Sequence, residues 1–152
     1  MIIELHLCAP PGEARRRVLT ALLNICKDDN RLIINAMMRS GFDVPETMED
    51  LGLQYQPPSG GELQTPRQPF YSLLDLLENG TFSCGDAAAY EAAVKEEKYG
   101  QQTQCICVAQ GDNEYHAIYV TAEGPVDPTE NWLRRVAGVN GVAASGANRW
   151  VR

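Results

Sequence analysis

The chain has 152 residues, 44% of them hydrophobic, which is enough for one domain with a hydrophobic core. Its formal net charge of −7 argues against a nucleic-acid-binding protein, because such a protein would carry a basic patch. No apolar run approaches the roughly 20 residues of a membrane-spanning helix, and the first residues lack the charged and apolar regions of a signal peptide, so we expect a cytoplasmic protein without nucleic-acid or membrane partners.

The cysteine count indicates reduced thiols. The chain has five cysteines, an odd number, and no secretion signal is visible. We therefore expect at least one thiol to be free to react. Composition does not indicate the oligomeric state.

The first part of the chain is predicted to be mainly helical after a short strand. Residues 2–8 favour a strand, which ends at the prolines that follow. Residues 13–26 and 32–38 favour two helices, and a polar turn at residues 28–30 lies between them. The face of the first helix expected to be buried carries Ala14, Val18, Leu22 and Ile25, with Leu19 and Leu23 beside it. Residues 46–53 favour one further short turn of helix.

A stretch rich in proline and glycine follows at residues 55–69 and is predicted to be a long loop. Structureless loops of that length are uncommon unless they are functional or mobile, so we expect this one to lie near a substrate groove. Residues 70–78 then favour a helix, which Asn79-Gly80 ends.

A helix and a hairpin are predicted in the second half of the chain. Ser83 is a suitable N-cap with Asp86 three residues later, which predicts a helix over residues 84–98. Residues 103–109 and 114–121 alternate in hydrophobicity on either side of a Gly-Asp-Asn turn, and this pattern predicts a β-hairpin.

The end of the chain favours one more helix and one more strand. Residues 130–137 have the pattern of a short helix, which Gly138 ends. The tail, residues 139–152, is small and polar until Trp150 and favours a last strand.

Three residues with complementary chemistry fall on or beside these elements. Cys84 begins a predicted helix, His116 lies in a predicted strand, and Asp127 follows in a Pro-Val-Asp-Pro-Thr segment. A cysteine reacts as its thiolate, which the N–H groups and dipole of a helix N-terminus stabilise. A histidine can pair with the thiolate and protonate a leaving amine, while an aspartate orients the imidazole. We therefore predict a cysteine nucleophile site that attacks amide carbonyls through a thioester.

Short motifs surround each of these three residues. Within residues 76–89, a glycine precedes a cysteine at a helix start, with an acidic residue and small residues behind it. Residues 116–120 read His-Ala-Ile-Tyr-Val, and residues 126–129 read Val-Asp-Pro-Thr. Together, over residues 70–129, these segments resemble the cysteine, histidine and aspartate motifs of the transglutaminase-like superfamily.

The resemblance implies an α+β fold with a papain-like, transglutaminase-like core. In such a core the cysteine-bearing helix packs on an antiparallel β-sheet, here preceded by N-terminal helices. Residues 1–152 would form a single domain, made of a helical N-terminal part (1–54), the loop (55–69) and a catalytic core (70–152).

The resemblance also implies an activity. The protein would be a thiol-dependent acyl-transfer enzyme that acts on protein or peptide amides as a cysteine peptidase, a deamidase or a transglutaminase. Cys84, His116 and Asp127 would form its catalytic triad. No cofactor and no metal ion are expected.

The chain departs from the family pattern, and a second hypothesis stays open. The usual tryptophan after His-Ala is Ile118, the Gly-x-Trp strand is reduced to residues 123–125, and the N-terminal third matches no motif. The alternative is a catalytically inactive binding or structural module of a viral or bacterial assembly. Cys84 would then be a small core residue. Asp127 would be the N-cap of a helix starting at Pro128, a role compatible with catalysis because each carboxylate oxygen accepts its own bonds.

Two smaller questions concern the oxyanion donor and the other thiols. The backbone N–H of Cys84 is the default donor, and the side chains of Gln68 and Asn79 are further candidates. The alternating pair Cys105 and Cys107 shares one face of a predicted strand. We interpret both as core residues, since no other zinc ligand lies near them in the sequence.

Overall fold

A computed structural model describes residues 12–56, 71–110 and 115–140. Their elements in chain order are α1 (Glu13–Arg39), β1 (Gln54–Tyr55), α2 (Leu73–Asn79), β2 (Thr81–Phe82), α3 (Cys84–Tyr99), β3 (Gln104–Ala109), β4 (Tyr115–Thr121), β5 (Gly124–Val126) and α4 (Pro128–Asn140). The fold is α+β, as predicted. The predicted strand at residues 2–8, the loop beyond residue 56, the hairpin turn and the tail beyond residue 140 lie outside the described residues.

Helix α1 is one continuous helix of 27 residues, so the prediction of two helices separated by a turn was wrong. Its buried residues are Leu19, Leu23, Lys27, Asn30 and Ile34. The predicted buried face was wrong at Val18, which is 37% exposed, and at Ile25, which is 58% exposed, whereas Leu19 and Leu23 beside it are buried as predicted. The face that is buried in the structure also contains two polar side chains, Lys27 and Asn30, so its apolar pattern is not continuous. Lys27 is tolerated there because its Nζ lies 2.7 Å from Oε1 of Glu96.

Polar side chains of α1 also bind the edge of a three-stranded sheet. Among the described residues the strand order is β3-β4-β5 with antiparallel pairing, so β3 is the edge strand of this part of the sheet. The Asn24 side chain exchanges two hydrogen bonds with the Cys105 backbone, at 2.8 and 3.1 Å. Thr20 Oγ1 accepts from the Cys107 N–H at 3.0 Å. These bonds satisfy backbone groups that an edge strand leaves unpaired, and they join the N-terminal part to the rest of the domain.

The segment between α1 and β1 contains turns rather than the predicted turn of helix. Its apolar residues Val44, Met48 and Leu53 are buried nonetheless. They pack in a cluster with Tyr90 of α3, whose hydroxyl donates to the Pro45 carbonyl at 2.7 Å. The burial of these three side chains therefore holds the segment in place, although it forms no regular helix.

Helices α2 and α3 both begin with a capping box. In each, a serine N-cap and the aspartate three residues later form a capping box, Ser72 with Asp75 and Ser83 with Asp86. Gly80 ends α2 with a φ of 75°, which a residue with a Cβ rarely adopts. The sequence predicted both helices to within a few residues.

Helix α3 packs against both α1 and the sheet. Ala88 and Ala92 lie in a buried cluster with Cys105 of β3 and with Ala117 and Tyr119 of β4. Small side chains let the helix axis approach the sheet closely. The predicted hairpin is confirmed, since β3 and β4 pair antiparallel along their length.

Helix α4 begins at Pro128, as the interpretation of Asp127 as an N-cap indicated, and it is longer than the predicted residues 130–137 because it continues past Gly138. A proline suits the first helical position, and one interior glycine weakens a helix by only ~1 kcal/mol. No helix in the described ranges combines the length and the apolar character needed to cross a lipid bilayer.

Candidate active site

Cys84 is the first residue of α3, at the point where β2 turns into the helix. The capping box that starts this helix is complete: the Ser83 N–H donates to Asp86 at 2.8 Å, and the Ser83 hydroxyl accepts from the Asp86 N–H. The Cys84 side chain is half-buried and packs against the cluster between α3 and the sheet. Its sulfur therefore lies at a helix N-terminus, where the free N–H groups favour an anion.

The predicted base, His116, lies in β4 opposite Val108 of β3 and is 8% exposed. Its Nε2 is 2.8 Å from Oδ2 of Asp127. Burial disfavours the imidazolium, but hydrogen bonds with Asp127 and with the Cys84 thiol outweigh it and raise the pKa of His116 to about 9. The imidazole thus lies between the thiol and the carboxylate, with Nδ1 left for the sulfur.

Asp127 lies between β5 and α4 and uses both of its carboxylate oxygens. Oδ2 binds His116, and Oδ1 accepts from the N–H groups of Thr129 and Glu130 at 3.0 and 3.2 Å. Those N–H groups belong to the first turn of α4, so Asp127 is its N-cap. The capping and histidine-binding geometries coexist, as the sequence indicated they could.

The structure therefore brings the three predicted residues together from separate elements. Cys84 comes from the start of α3, His116 from the middle strand of the sheet, and Asp127 from the β5–α4 junction. The short β5, which the sequence did not predict, pairs with the end of β4 and returns the chain beside His116. This arrangement contains a nucleophile, a proton carrier and an orienting carboxylate.

The other described cysteines have a different environment. Burial raises the pKa of Cys26 to about 11 and that of Cys105 to about 12. Burial, together with the nearby sulfur of Cys84, raises the pKa of Cys107 to about 12. Cys105 and Cys107 are core residues, as interpreted from the sequence. All three thiols are held in the unreactive protonated form.

An aromatic cluster beside Cys84 was not predicted. Tyr55 was assigned to the start of the loop, but it lies in β1, where it pairs with Phe82 of β2. Its ring contacts those of Phe82 and Trp132, with centroids 5.6 and 5.0 Å apart. Parallel pairing of two-residue strands has no recognisable sequence pattern, and only the aromatic residue types could have suggested the cluster.

The candidate oxyanion donors differ in their positions. Gln68 lies outside the described residues, and Asn79 is exposed at the end of α2. The Cys84 N–H takes no part in the capping box and is directed out of the helix end. Within the described ranges, no group of three His, Cys, Asp or Glu side chains could hold a metal ion.

Comparisons with known proteins give no match: no family model, no curated protein and no solved structure is significantly similar to this chain.

Proposed function

We propose that the protein is a thiol-dependent acyl-transfer enzyme that acts on protein or peptide amides through Cys84, His116 and Asp127. The observation that carries the proposal is the position of the His116 imidazole between the Cys84 thiol and Asp127, at the N-terminus of α3. A histidine placed there can hold a thiolate as an ion pair and later supply its proton.

The first half-reaction follows from this geometry. The Cys84 sulfur attacks the amide carbonyl carbon, a C–S bond forms, and the carbonyl electrons move onto oxygen as an oxyanion. When the oxyanion collapses, the C–N bond breaks and His116 transfers its proton to the leaving amine. The product is a thioester on Cys84, and His116 is left neutral.

The second half-reaction regenerates the thiolate. A water molecule or an amine gives a proton to His116 as it attacks the thioester, and the C–S bond breaks. Water yields a carboxylic acid, as in a peptidase or a deamidase, whereas an amine yields a new amide, as in a transglutaminase. Asp127 keeps the imidazole oriented throughout and stabilises its charged form.

We also propose that the core is papain-like and transglutaminase-like. The support is the packing of α3 against the antiparallel sheet, with the cysteine at the helix start, the histidine in the central strand and the aspartate after the next strand. This is the arrangement that the resemblance implied for residues 70–129.

The test begins with the reactivity of the thiols. At mildly acidic pH, iodoacetamide should modify Cys84 before Cys26, Cys105 and Cys107, because burial raises the pKa of the last three. Peptide mapping by mass spectrometry identifies the modified residue. His116→Ala should remove most of the advantage of Cys84, and Cys26→Ser is the matched control that should not.

Turnover is then measured with glutamine peptides, with and without a primary amine, and with casein. Activity that disappears in Cys84→Ala and persists in Cys26→Ser supports the proposal, and the products separate hydrolysis, deamidation and cross-linking. Equal labelling of all thiols, unchanged by His116→Ala, would instead identify Cys84 as an ordinary cysteine and favour a non-catalytic binding module.

A further inference from the structure

Tyr55 is placed beside the nucleophile by backbone pairing. In the parallel register of β1 and β2, its Cα is opposite that of Phe82, and the Gln56 N–H donates to the Phe82 carbonyl at 3.0 Å. Ser83 is extended, with φ −105° and ψ 176°. Since side chains alternate along an extended chain, Phe82 and Cys84 project to the same side. The Tyr55 ring contacts Phe82 and so lies on the Cys84 side of β2.

A second ring contact holds Tyr55 against α4. Trp132 belongs to α4, the helix that Asp127 caps, and its ring lies 5.0 Å from that of Tyr55 at an angle of 47°. Tyr55 is therefore fixed between the element that carries the nucleophile and the element that carries the carboxylate. A rigid aromatic side chain loses little entropy when it orients a polar group.

The Tyr55 hydroxyl retains its proton over the physiological pH range. Burial, followed by the negative charges of Cys84 and Asp127, raises the pKa of Tyr55 to about 12. The hydroxyl is thus a hydrogen-bond donor close enough to the reacting sulfur to interact with its charge.

The same place contains a polar atom without a partner. Oγ1 of Thr129 is fully buried and has no hydrogen-bond partner within the described ranges, and Thr129 as a whole is 9% exposed. This hydroxyl is near that of Tyr55 and lowers the pKa of the phenol, although the two groups do not reach hydrogen-bond geometry. Because Thr129 Oγ1 does not accept from the Tyr55 hydroxyl at hydrogen-bond distance, the phenol proton remains available to a ligand oxygen.

We propose that the Tyr55 hydroxyl donates a hydrogen bond to the oxyanion that forms when Cys84 attacks a carbonyl, alongside the backbone N–H of Cys84. The inference rests on the proposed function and adds a catalytic residue to it. Tyr55 keeps its proton throughout: the oxyanion charge appears as the C–S bond forms and returns to the carbonyl as the leaving group departs. A fixed donor of this kind stabilises the tetrahedral intermediate more than the ground state.

Two reactions of the Cys84 sulfur distinguish stabilisation of the oxyanion by Tyr55 from an effect of Tyr55 on the thiol itself. Acylation of Cys84 by p-nitrophenyl acetate passes through an oxyanion, whereas alkylation by iodoacetamide displaces iodide and forms none. Tyr55→Phe keeps the ring contacts and removes only the hydroxyl. It should slow acylation at least about tenfold, since single oxyanion donors contribute ~10²–10³ in rate, and it should leave the alkylation rate within about twofold.

Tyr99→Phe is the matched control, because Tyr99 is 49% exposed at the other end of α3, about 22 Å away at the helical rise of ~1.5 Å per residue. It should change neither rate. Unchanged acylation in Tyr55→Phe would overturn the inference, and so would an equal fall in both rates, which would mean that Tyr55 acts on the thiol. Failure of the proposed function is visible separately, as a wild-type protein in which Cys84 is not selectively alkylated or acylated.

Discussion

His116 donates from Nε2 to Oδ2 of Asp127 over 2.8 Å, while Oδ1 of the same carboxylate caps α4. The residue that orients the imidazole is therefore fixed by the start of a helix. Its carboxylate cannot rotate away from His116 without losing the bonds from Thr129 and Glu130. The helix cap thus supplies the rigidity that an orienting residue needs.

Asparagine and alanine at position 127 should separate the two roles of Asp127. Asparagine is about as good an N-cap as aspartate, so Asp127→Asn should keep α4 but lose the charge that holds the imidazolium. Asp127→Ala loses both and should be at least about 1 kcal/mol less stable than Asp127→Asn. Both variants should lose about 10²- to 10⁴-fold in amide turnover.

Urea unfolding and turnover of the same preparations give the two readouts. The matched control is Glu123→Gln, which removes an exposed carboxylate from the turn before β5 and should change neither quantity. Equal stability of the asparagine and alanine variants would contradict the capping role, and wild-type turnover in either would contradict the orienting role.

The parts of the fold that could be predicted depend on local signals. The capping box at Ser83 and the alternation around the hairpin lie within a few residues of the elements they define. The buried face of α1 could not be predicted in this way, because Lys27 on that face is satisfied by groups 69 and 76 residues away. The polarity of Lys27 is compatible with burial only once these partners are known.

The same distinction applies to the site. Cys84, His116 and Asp127 could be chosen from residue type and local motif, and the structure brings them together. Tyr55 has no such motif, since its position depends on pairing with Phe82, which is distant in sequence, and on Trp132 of a third element. Residues that act through tertiary packing are the ones that sequence reasoning misses.

The pKa of His116 predicts a pH-dependent stability. The pKa is raised from 6.5 to about 9 in the folded protein, so folding favours the protonated form. The resulting stabilisation is fully present below about pH 6.5 and is lost as the pH rises through about 9. It is on the order of 3 kcal/mol at most, at about 1.4 kcal/mol per pKa unit.

An NMR titration of the His116 ring carbons measures this pKa directly, with His6→Gln to assign the two histidines. Asp127→Asn should move the midpoint downwards, because it removes the hydrogen-bonded carboxylate. A midpoint at or below 6.5 in the wild-type protein would contradict the predicted pairing with Cys84 and Asp127.

Glu91 should make the protein less stable as the pH approaches neutrality. This side chain is 7% exposed in α3, and burial, with the nearby Glu49, raises its pKa to about 7 despite Arg135, Lys95 and the Tyr119 hydroxyl. Its folded pKa exceeds the usual 4.5, so its contribution is greatest below about pH 4.5 and is lost as the pH rises through about 7, by on the order of 3 kcal/mol.

Glu91→Gln removes the titration while keeping a group that can bond to the Tyr119 hydroxyl. In urea unfolding, the variant should be more stable than the wild type above about pH 7. Its stability should also no longer decrease between about pH 4.5 and 7. The exposed Glu123→Gln should retain the wild-type profile. A Glu91→Gln curve parallel to that of the wild type would show that Glu91 does not titrate in this range.

The buried ion pair between α1 and α3 predicts a large effect of a single substitution. Lys27 Nζ lies 2.7 Å from Oε1 of Glu96 and 2.9 Å from the Thr103 carbonyl, and its side chain is 9% exposed. Lys27→Met removes this buried donor from Glu96 and from the Thr103 carbonyl, while Arg31 stays 2.9 Å from Oε2 of Glu96. The free energy of unfolding should therefore fall by roughly 1–3 kcal/mol. The control is Arg17→Met in the exposed pair with Glu13 on the same helix, which should leave stability nearly unchanged. If Lys27→Met unfolds at the same urea concentration as Arg17→Met, the pair does not hold α1 against α3.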